Sequence, residues 1–395
     1  MSSIDRRNFI KSSGLAVLPS LLPFAPALAS DNNPLPQPPT GTAVKFFGDG
    51  EMFGPGDYLQ QLQQAHTANA IVQDRYGSGG AVETLEKKFA EITGKEKAIF
   101  MPTGTMANQL AIAVLSGHNT KVFVQDESHY YRDEADAAQS VFQKRLMPLA
   151  KGKAYFTADE LQRAIEGLPN EEVFASGIGA VSIENPVRRV DGRFVPLEEI
   201  KKISAYCRSK NIKLHLDGAR LYMASAWSGV PIKEYAAYFD TVYISLYKYL
   251  GASGGAILCG DKAVIDQMPH LMKIHGGTMY GNWTNAAMAL HRLEGFETRL
   301  QEAIKRATAI FAALNKIPGF KVSHLDNGTN IYALELDPKL DGKKLQETLN
   351  KQFNIRMAPP SQKGQAPLFV NETLLYQSAD AIVAAFKDSA KQATL

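Results

Sequence analysis

The sequence is poor in cysteine: Cys207 and Cys259 are the only two in 395 residues. That excludes a disulfide-stapled scaffold, and nothing in their spacing indicates a metal site. Cys207 lies in a helix-like segment and Cys259 in the apolar strand 255–259, so two separate buried thiols are expected. An excess of either charge is also lacking. A net charge of +3 with no basic stripe argues against nucleic acid or an anionic membrane as a partner. No apolar run reaches the ~20 residues of a membrane helix, so stable membrane insertion is not expected. Repeats and low-complexity arrays are missing too. What is there is an ordinary globular composition, 45% hydrophobic and 21% charged, long enough for two domains and a large core.

Residues 1–29 read as a leader outside the fold. Asp5-Arg6-Arg7-Asn8-Phe9-Ile10-Lys11 resembles a twin-arginine export signal, and Ala27-Leu28-Ala29 fits an A-x-A cleavage site. Pro19, Pro23 and Pro26 interrupt the apolar stretch between them. A mature chain starting near Ser30 and working in the periplasm is expected; the alternative is a disordered basic N-terminus. Residues 30–75 follow as a proline-rich linker (31–40) and an N-terminal arm.

The stretch 214–251 organises the remainder. Leu214-His215-Leu216-Asp217-Gly218 and Ile244-Ser245-Leu246-Tyr247-Lys248 each read as an apolar strand ending in a polar residue before a glycine turn. The carboxylate and the lysine stand 31 positions apart, with room for a helix over 222–239. Parallel strands joined this way bring their carboxyl ends to one edge of an open sheet, where ligands bind. Pyridoxal phosphate chemistry needs this pair. A lysine amine condenses with the cofactor aldehyde, and an aspartate keeps the pyridine nitrogen protonated so that the ring accepts electrons from a carbanion. Singly, Asp217 reads as a helix cap and Lys248 as a solvated charge; a phosphate motif upstream favours the joint reading.

That motif is a strand over 97–101, the turn Pro102-Thr103-Gly104-Thr105 and a helix over 106–115. Free N–H groups and the positive helix end make an anion site there, with hydroxyl donors from Thr103 and Thr105. Many αβ loops look like it, so its position ahead of Asp217 and Lys248 matters. Two further strands end in functional candidates: 122–125 runs into Asp126-Glu127-Ser128-His129, and 179–184 ends at Glu184 before Asn185-Pro186-Val187.

Tyr76-Gly77, Pro102-Thr103-Gly104-Thr105-Met106-Ala107-Asn108, His215-Leu216-Asp217-Gly218-Ala219-Arg220 and Lys248-Tyr249-Leu250-Gly251 stand in the order and spacing of one family. From about Phe46 onward the chain resembles the low-specificity threonine aldolases, in the β-eliminating lyase group of fold type I pyridoxal phosphate enzymes. The resemblance implies an α/β, fold type I transferase-like architecture: a large domain (76–290) with a mostly parallel seven-stranded sheet and a smaller C-terminal α+β domain (291–395). It implies retro-aldol cleavage of a threonine-like β-hydroxy-α-amino acid to glycine and an aldehyde, in a homodimer or homotetramer with sites built across subunits. Lys248 would hold pyridoxal 5'-phosphate, Asp217 would serve its ring nitrogen, and Thr103, Gly104 and Thr105 would take its phosphate. His129 would stack on the ring and shuttle a proton. Glu184 would orient the cofactor or form a structural ion pair. Arg220 would approach cofactor and substrate carboxylate, and Gly48 and Tyr76 would lie on the substrate side.

Departures from the family pattern concentrate on that substrate side. Gly48 replaces a serine, Val187 replaces a histidine facing the β-hydroxyl, and Tyr280 replaces an arginine that aids the neighbour's phosphate. A C-terminal carboxylate-binding arginine has only Arg356 and Lys363 as candidates. Two rival functions follow. A β-eliminating lyase releasing ammonia and a keto acid needs no base for a β-hydroxyl. A non-catalytic exported cofactor-binding protein needs no turnover at all.

Overall fold

The computed structural model describes residues 43–394; the leader and the linker at 31–40 lie outside the described residues. Within them the strands are β1 (Val44–Phe46), β2 (Lys97–Met101), β3 (Lys121–Gln125), β4 (Arg145–Leu149), β5 (Ile178–Glu184) and β6 (Lys213–Asp217). They continue as β7 (Thr241–Ser245), β8 (Ala256–Gly260), β9 (Phe320–His324), β10 (Ile331–Leu336), β11 (Ile355–Met357) and β12 (Gln365–Phe369).

Seven of these form one sheet in the order β2-β8-β7-β6-β5-β3-β4, as the resemblance implied. Strands β3, β7 and β8 are buried along their whole length. Such continuous apolar burial belongs to a sheet with helices on both faces. Only β8 runs antiparallel, against both β2 and β7. All other pairings are parallel, so β2, β3, β5, β6 and β7 deliver their carboxyl ends to one edge. That edge receives Thr103, His129, Glu184, Asp217 and Lys248 from five different strand ends.

The C-terminal part holds the antiparallel sheet β12-β10-β9 and a parallel pair of β1 with β11. The N-terminal arm thereby joins a C-terminal core: Val44 and Phe46 are fully buried with Phe311, Leu334 and Phe386. The Phe46 ring meets Phe386 edge-on at 5.7 Å.

Two helical stretches, the first of them the expected crossover, are each divided. The crossover over 222–239 is Leu221–Ser228 plus Ile232–Ala236, because Gly229 (φ +74°) closes the first and Pro231 precedes the second. The later stretch 283–314 is Trp283–Leu293 plus Phe296–Leu314, broken at Gly295 (φ +64°). Both thiols are free and buried, as expected, and burial pushes each up to about 12.

Candidate active site

The helix Gly104–Ser116 begins where β2 ends. Thr103 caps it, its hydroxyl oxygen accepting the Met106 N–H at 3.1 Å. The Gly104 and Thr105 N–H groups, at the start of the helix, have no intrahelical carbonyl to meet. Glycine is required at 104 because a Cβ there would collide with the Tyr243 hydroxyl. The cap, the free donors and the helix dipole make an anion cradle.

Lys248 enters from the loop after β7, three positions beyond Ser245. Burial, and then the nearby Arg220 cation, depress its amine to about 8. Asp217 closes β6 and is 2% exposed. Its Oδ1 accepts the Ala219 N–H at 3.1 Å and its Oδ2 an Asn108 N–H at 3.0 Å. His129 starts a short turn after β3, where its backbone N–H donates to Glu184 Oε2 at 2.7 Å. Its Nδ1 lies 3.1 Å from Glu134 Oε1, and that hydrogen bond raises the imidazole pKa above its ordinary value. Glu184 also accepts the Arg188 N–H at 3.0 Å, and burial with the neighbouring Asp217 carboxylate pushes it up to about 7. It fastens two loops by their backbones.

These groups line one cavity of about 350 Å³: Thr103, Gly104, Thr105, His129, Glu184, Asp217 and Lys248, with Tyr243, Tyr247 and Ser253 beside them. The size suits a small cofactor plus substrate. A primary amine, a fixed carboxylate, a flat imidazole and an anion cradle around one space are the donor set that pyridoxal phosphate requires.

A family model described as beta-eliminating lyase matches residues 60–336. The chain belongs to the beta-eliminating lyase family. A low-specificity L-threonine aldolase of Candida albicans is 33% identical over 277 residues, 69% of this chain and 72% of that protein. Two solved structures share the fold. A candidate L-allo-threonine aldolase from Listeria monocytogenes has a TM-score of 0.72 at 24% identity, over 89% of this chain and 97% of that one. A serine palmitoyltransferase from S. paucimobilis with a bound pyridoxal phosphate adduct has a TM-score of 0.62 at 14% identity, over 89% and 87%. This member of the lyase family has the fold type I pyridoxal phosphate architecture.

On the substrate side the lyase departs from what the sequence suggested. Arg220 does not line the cavity with an open fork; its Nε donates to Asp49 Oδ2 at 2.7 Å. Asp49 in turn accepts from Asn330 Nδ2 at 3.2 Å. Gly48, one residue before, has φ +74° and a carbonyl that accepts from Asn371 Nδ2 at 3.0 Å, so it shapes the arm and offers no side chain. Tyr76 is outside the cavity. It is 60% exposed, its N–H donates to the Tyr280 carbonyl at 2.8 Å, and the two rings meet edge-on at 5.3 Å. Asp74 holds that turn away by accepting the N–H groups of Gly77 and Asn282. Val187 is fully buried. Arg356 faces outward on β11 and Lys363 lies on an exposed turn, so neither reaches the cavity.

Sequence reasoning quoted Asn108 and His215 within motifs but gave them no role, and it passed over Asp49 next to Gly48. It did not single out Glu134 at all, five positions after His129. The clue was a set of polar residues on otherwise apolar elements: Asn108 on a buried helix face and His215 inside a strand.

Proposed function

We propose that this chain is a pyridoxal phosphate-dependent carbon–carbon lyase that cleaves a threonine-like β-hydroxy-α-amino acid to glycine and an aldehyde. The observation that carries this reading is the meeting of Lys248, Asp217, His129 and the 103–105 turn at one cavity, in a chain 33% identical to an L-threonine aldolase. Bound there, the cofactor supplies an electron sink for negative charge at the substrate α-carbon.

The protein's own groups supply the rest. The N–H groups of Gly104 and Thr105 would hold the phosphate, and Asp217, whose carboxylate is held by two donors, would serve the ring nitrogen. Lys248, depressed to about 8, is neutral far more often near neutral pH than an ordinary lysine and so acts as nucleophile and proton carrier at Nζ. His129 lies across the cavity with Nδ1 engaged by Glu134, which leaves Nε2 to take the β-hydroxyl proton. Arg220 is not part of the cavity lining; anchored through Nε to Asp49, it is assigned to the α-carboxylate through its other guanidinium N–H groups, which takes a turn of its head into the cavity.

β-Elimination is the second reading, favoured by Val187: it is buried and apolar, and His129 is the one imidazole among the cavity-lining residues. The test is to incubate the cofactor-loaded protein with β-hydroxy and β-substituted amino acids, following aldehyde and ammonia separately. Aldehyde with glycine is the expected product. Ammonia with a keto acid would assign the eliminating reaction, and bound cofactor without any turnover would leave a binding protein. Two further parts belong to the proposal. A homodimer or homotetramer is supported by the exposed Tyr76 and Tyr280, whose rings touch, with the exposed Met279 beside Tyr76, and light scattering tests it. Periplasmic action is supported by the 5–11 and 27–29 segments of the sequence, and cell fractionation with Arg6 and Arg7 replaced by lysine tests it.

A further inference from the structure

One buried amide touches both halves of the chemistry. Asn108, 1% exposed, donates through Nδ2 to Asp217 Oδ2 at 3.0 Å and to Glu134 Oε1 at 2.8 Å. Its Oδ1 lies 2.9 Å from His215 Nε2. The amide orientation follows from its neighbours: both carboxylates accept, so the NH2 group must face them and the oxygen must face the histidine. His215 then donates through Nε2 and accepts at Nδ1 from the Thr241 hydroxyl at 2.8 Å. Burial favours that neutral ring, pushing its pKa down to about 4 against the pull of Asp217. The amide is therefore clamped from β6 and β7, and every hydrogen-bonding position named here is used in one way only.

We propose that Asn108 is a positioning residue that ties the ring-nitrogen carboxylate Asp217 and, through Glu134, the imidazole His129 into a single hydrogen-bonded unit. The inference rests on the cofactor site assigned above. One N–H holds Oδ2 of the carboxylate assigned to the ring nitrogen; the other holds the Glu134 oxygen that engages His129 Nδ1. Movement of either carboxylate strains the same amide, so the electron sink and the proton carrier are set in register by one side chain. Glu134 Oε2 is buried without a hydrogen-bond partner, so this carboxylate depends on Oε1 and on the two donors there. The charged groups facing His129 are Glu134 on its own segment, Asp217 on β6 and Glu184 on β5. Lys248 and the Tyr243 and Tyr247 phenols stand with it around the cavity.

The test uses the full chain loaded with pyridoxal phosphate and needs no turnover. Cofactor dissociation is measured by absorbance titration, and His129 protonation by histidine-selective NMR against pH. Asn108→Ala should weaken cofactor binding about tenfold or more, the scale of one charged hydrogen bond lost, and should lower the His129 midpoint. Glu134→Gln, which keeps the shape and removes the charge, should lower the His129 midpoint with cofactor affinity within about twofold, since Asp217 keeps both its donors. Asn108→Asp keeps the shape should the alanine variant not fold; its affinity relative to wild type at the same pH should be lowest near neutral pH and recover as acid lets the new carboxyl donate. A folded Asn108 variant with wild-type cofactor affinity and wild-type His129 midpoint overturns the proposal, as does a Glu134→Gln variant with an unmoved midpoint. A failure to cleave aldols would overturn the reaction assigned above and leave these readouts intact.

Discussion

The floor of the cavity and its substrate-side rim are built by different means. On the floor, Asp217, Asn108, His215 and Thr241 belong to one helix and two adjacent strands and hold one another through several hydrogen bonds. At the rim, Arg220 depends on Asp49, 171 positions away, and Asp49 on Asn330, 281 positions further on. Asp49 is carried by the arm and Asn330 by the C-terminal core that the arm joins. Floor geometry is thus a property of the sheet, and rim geometry a property of how arm and C-terminal core close over it. A catalyst organised this way keeps its cofactor chemistry constant while substrate contacts change, which matches where the sequence departs from its family.

The largest effect expected is on the floor. Lys248→Ala should reduce turnover by about four orders of magnitude, the scale of losing a central catalytic group, with the melting temperature little changed. Wild-type aldehyde release in that variant would remove Lys248 from the mechanism. Asp217→Ala should slow exchange of the substrate α-proton by roughly 10²–10³-fold and loosen the cofactor, because a charge-stabilising group is lost and Asn108 loses an acceptor. Solvent-deuterium exchange measured by NMR checks it; an unchanged rate would place the electron sink elsewhere.

At the rim the effect should be smaller and differently distributed. Asp49→Ala frees Arg220 from its anchor and should raise KM for the amino acid by about 10- to 100-fold, as expected for one charged hydrogen bond, with cofactor affinity little affected. Should affinity for the cofactor fall as far as KM rises, floor and rim are one unit and the distinction fails.

A pH experiment joins the two regions. Lys248 must be neutral to attack the cofactor aldehyde, and burial with Arg220 sets its amine at about 8. Cofactor capture by the cofactor-free protein should therefore rise with pH through that value and level off above it. Asp49 opposes Arg220 in that balance, so Asp49→Ala should move the midpoint down and Arg220→Gln should move it up. Stopped-flow absorbance across pH reads both; equal midpoints in all three proteins would show that the rim charges do not reach the lysine. The smallest effect concerns the thiols. Cys207 and Cys259 are both free, so adding a reductant should leave the melting temperature where it was.

Much of the floor was legible because its signals are local. A leucine-bearing strand before Asp217, a β-branched run before Lys248 and a small-residue turn before a helix each occupy a few consecutive positions. The divided helices were legible in principle: Gly229 with Pro231, and Gly295, are breakers standing in plain view, outweighed by apolar periodicity on either side. Strands β11 and β12 were not legible, being short segments stabilised by pairing with β1 and β10 from distant parts of the chain. That Tyr76 lies outside this chain's own cavity was not legible, because a motif match carries no direction. Asp74 and Tyr280 decide where that turn points, and neither is implied by Tyr76-Gly77 itself.

The sequence by itself determined which chemical groups stand at strand ends and helix starts, since those depend on backbone preferences and apolar spacing within a few residues. Tertiary structure decided which of them meet. The antiparallel insertion of β8 between β2 and β7 sets the Thr103 turn and the Lys248 loop around one cavity, and the arm's pairing with β11 accompanies Asp49 onto Arg220. Those contacts are selected by burial and hydrogen bonding across hundreds of positions, where local periodicity carries no information.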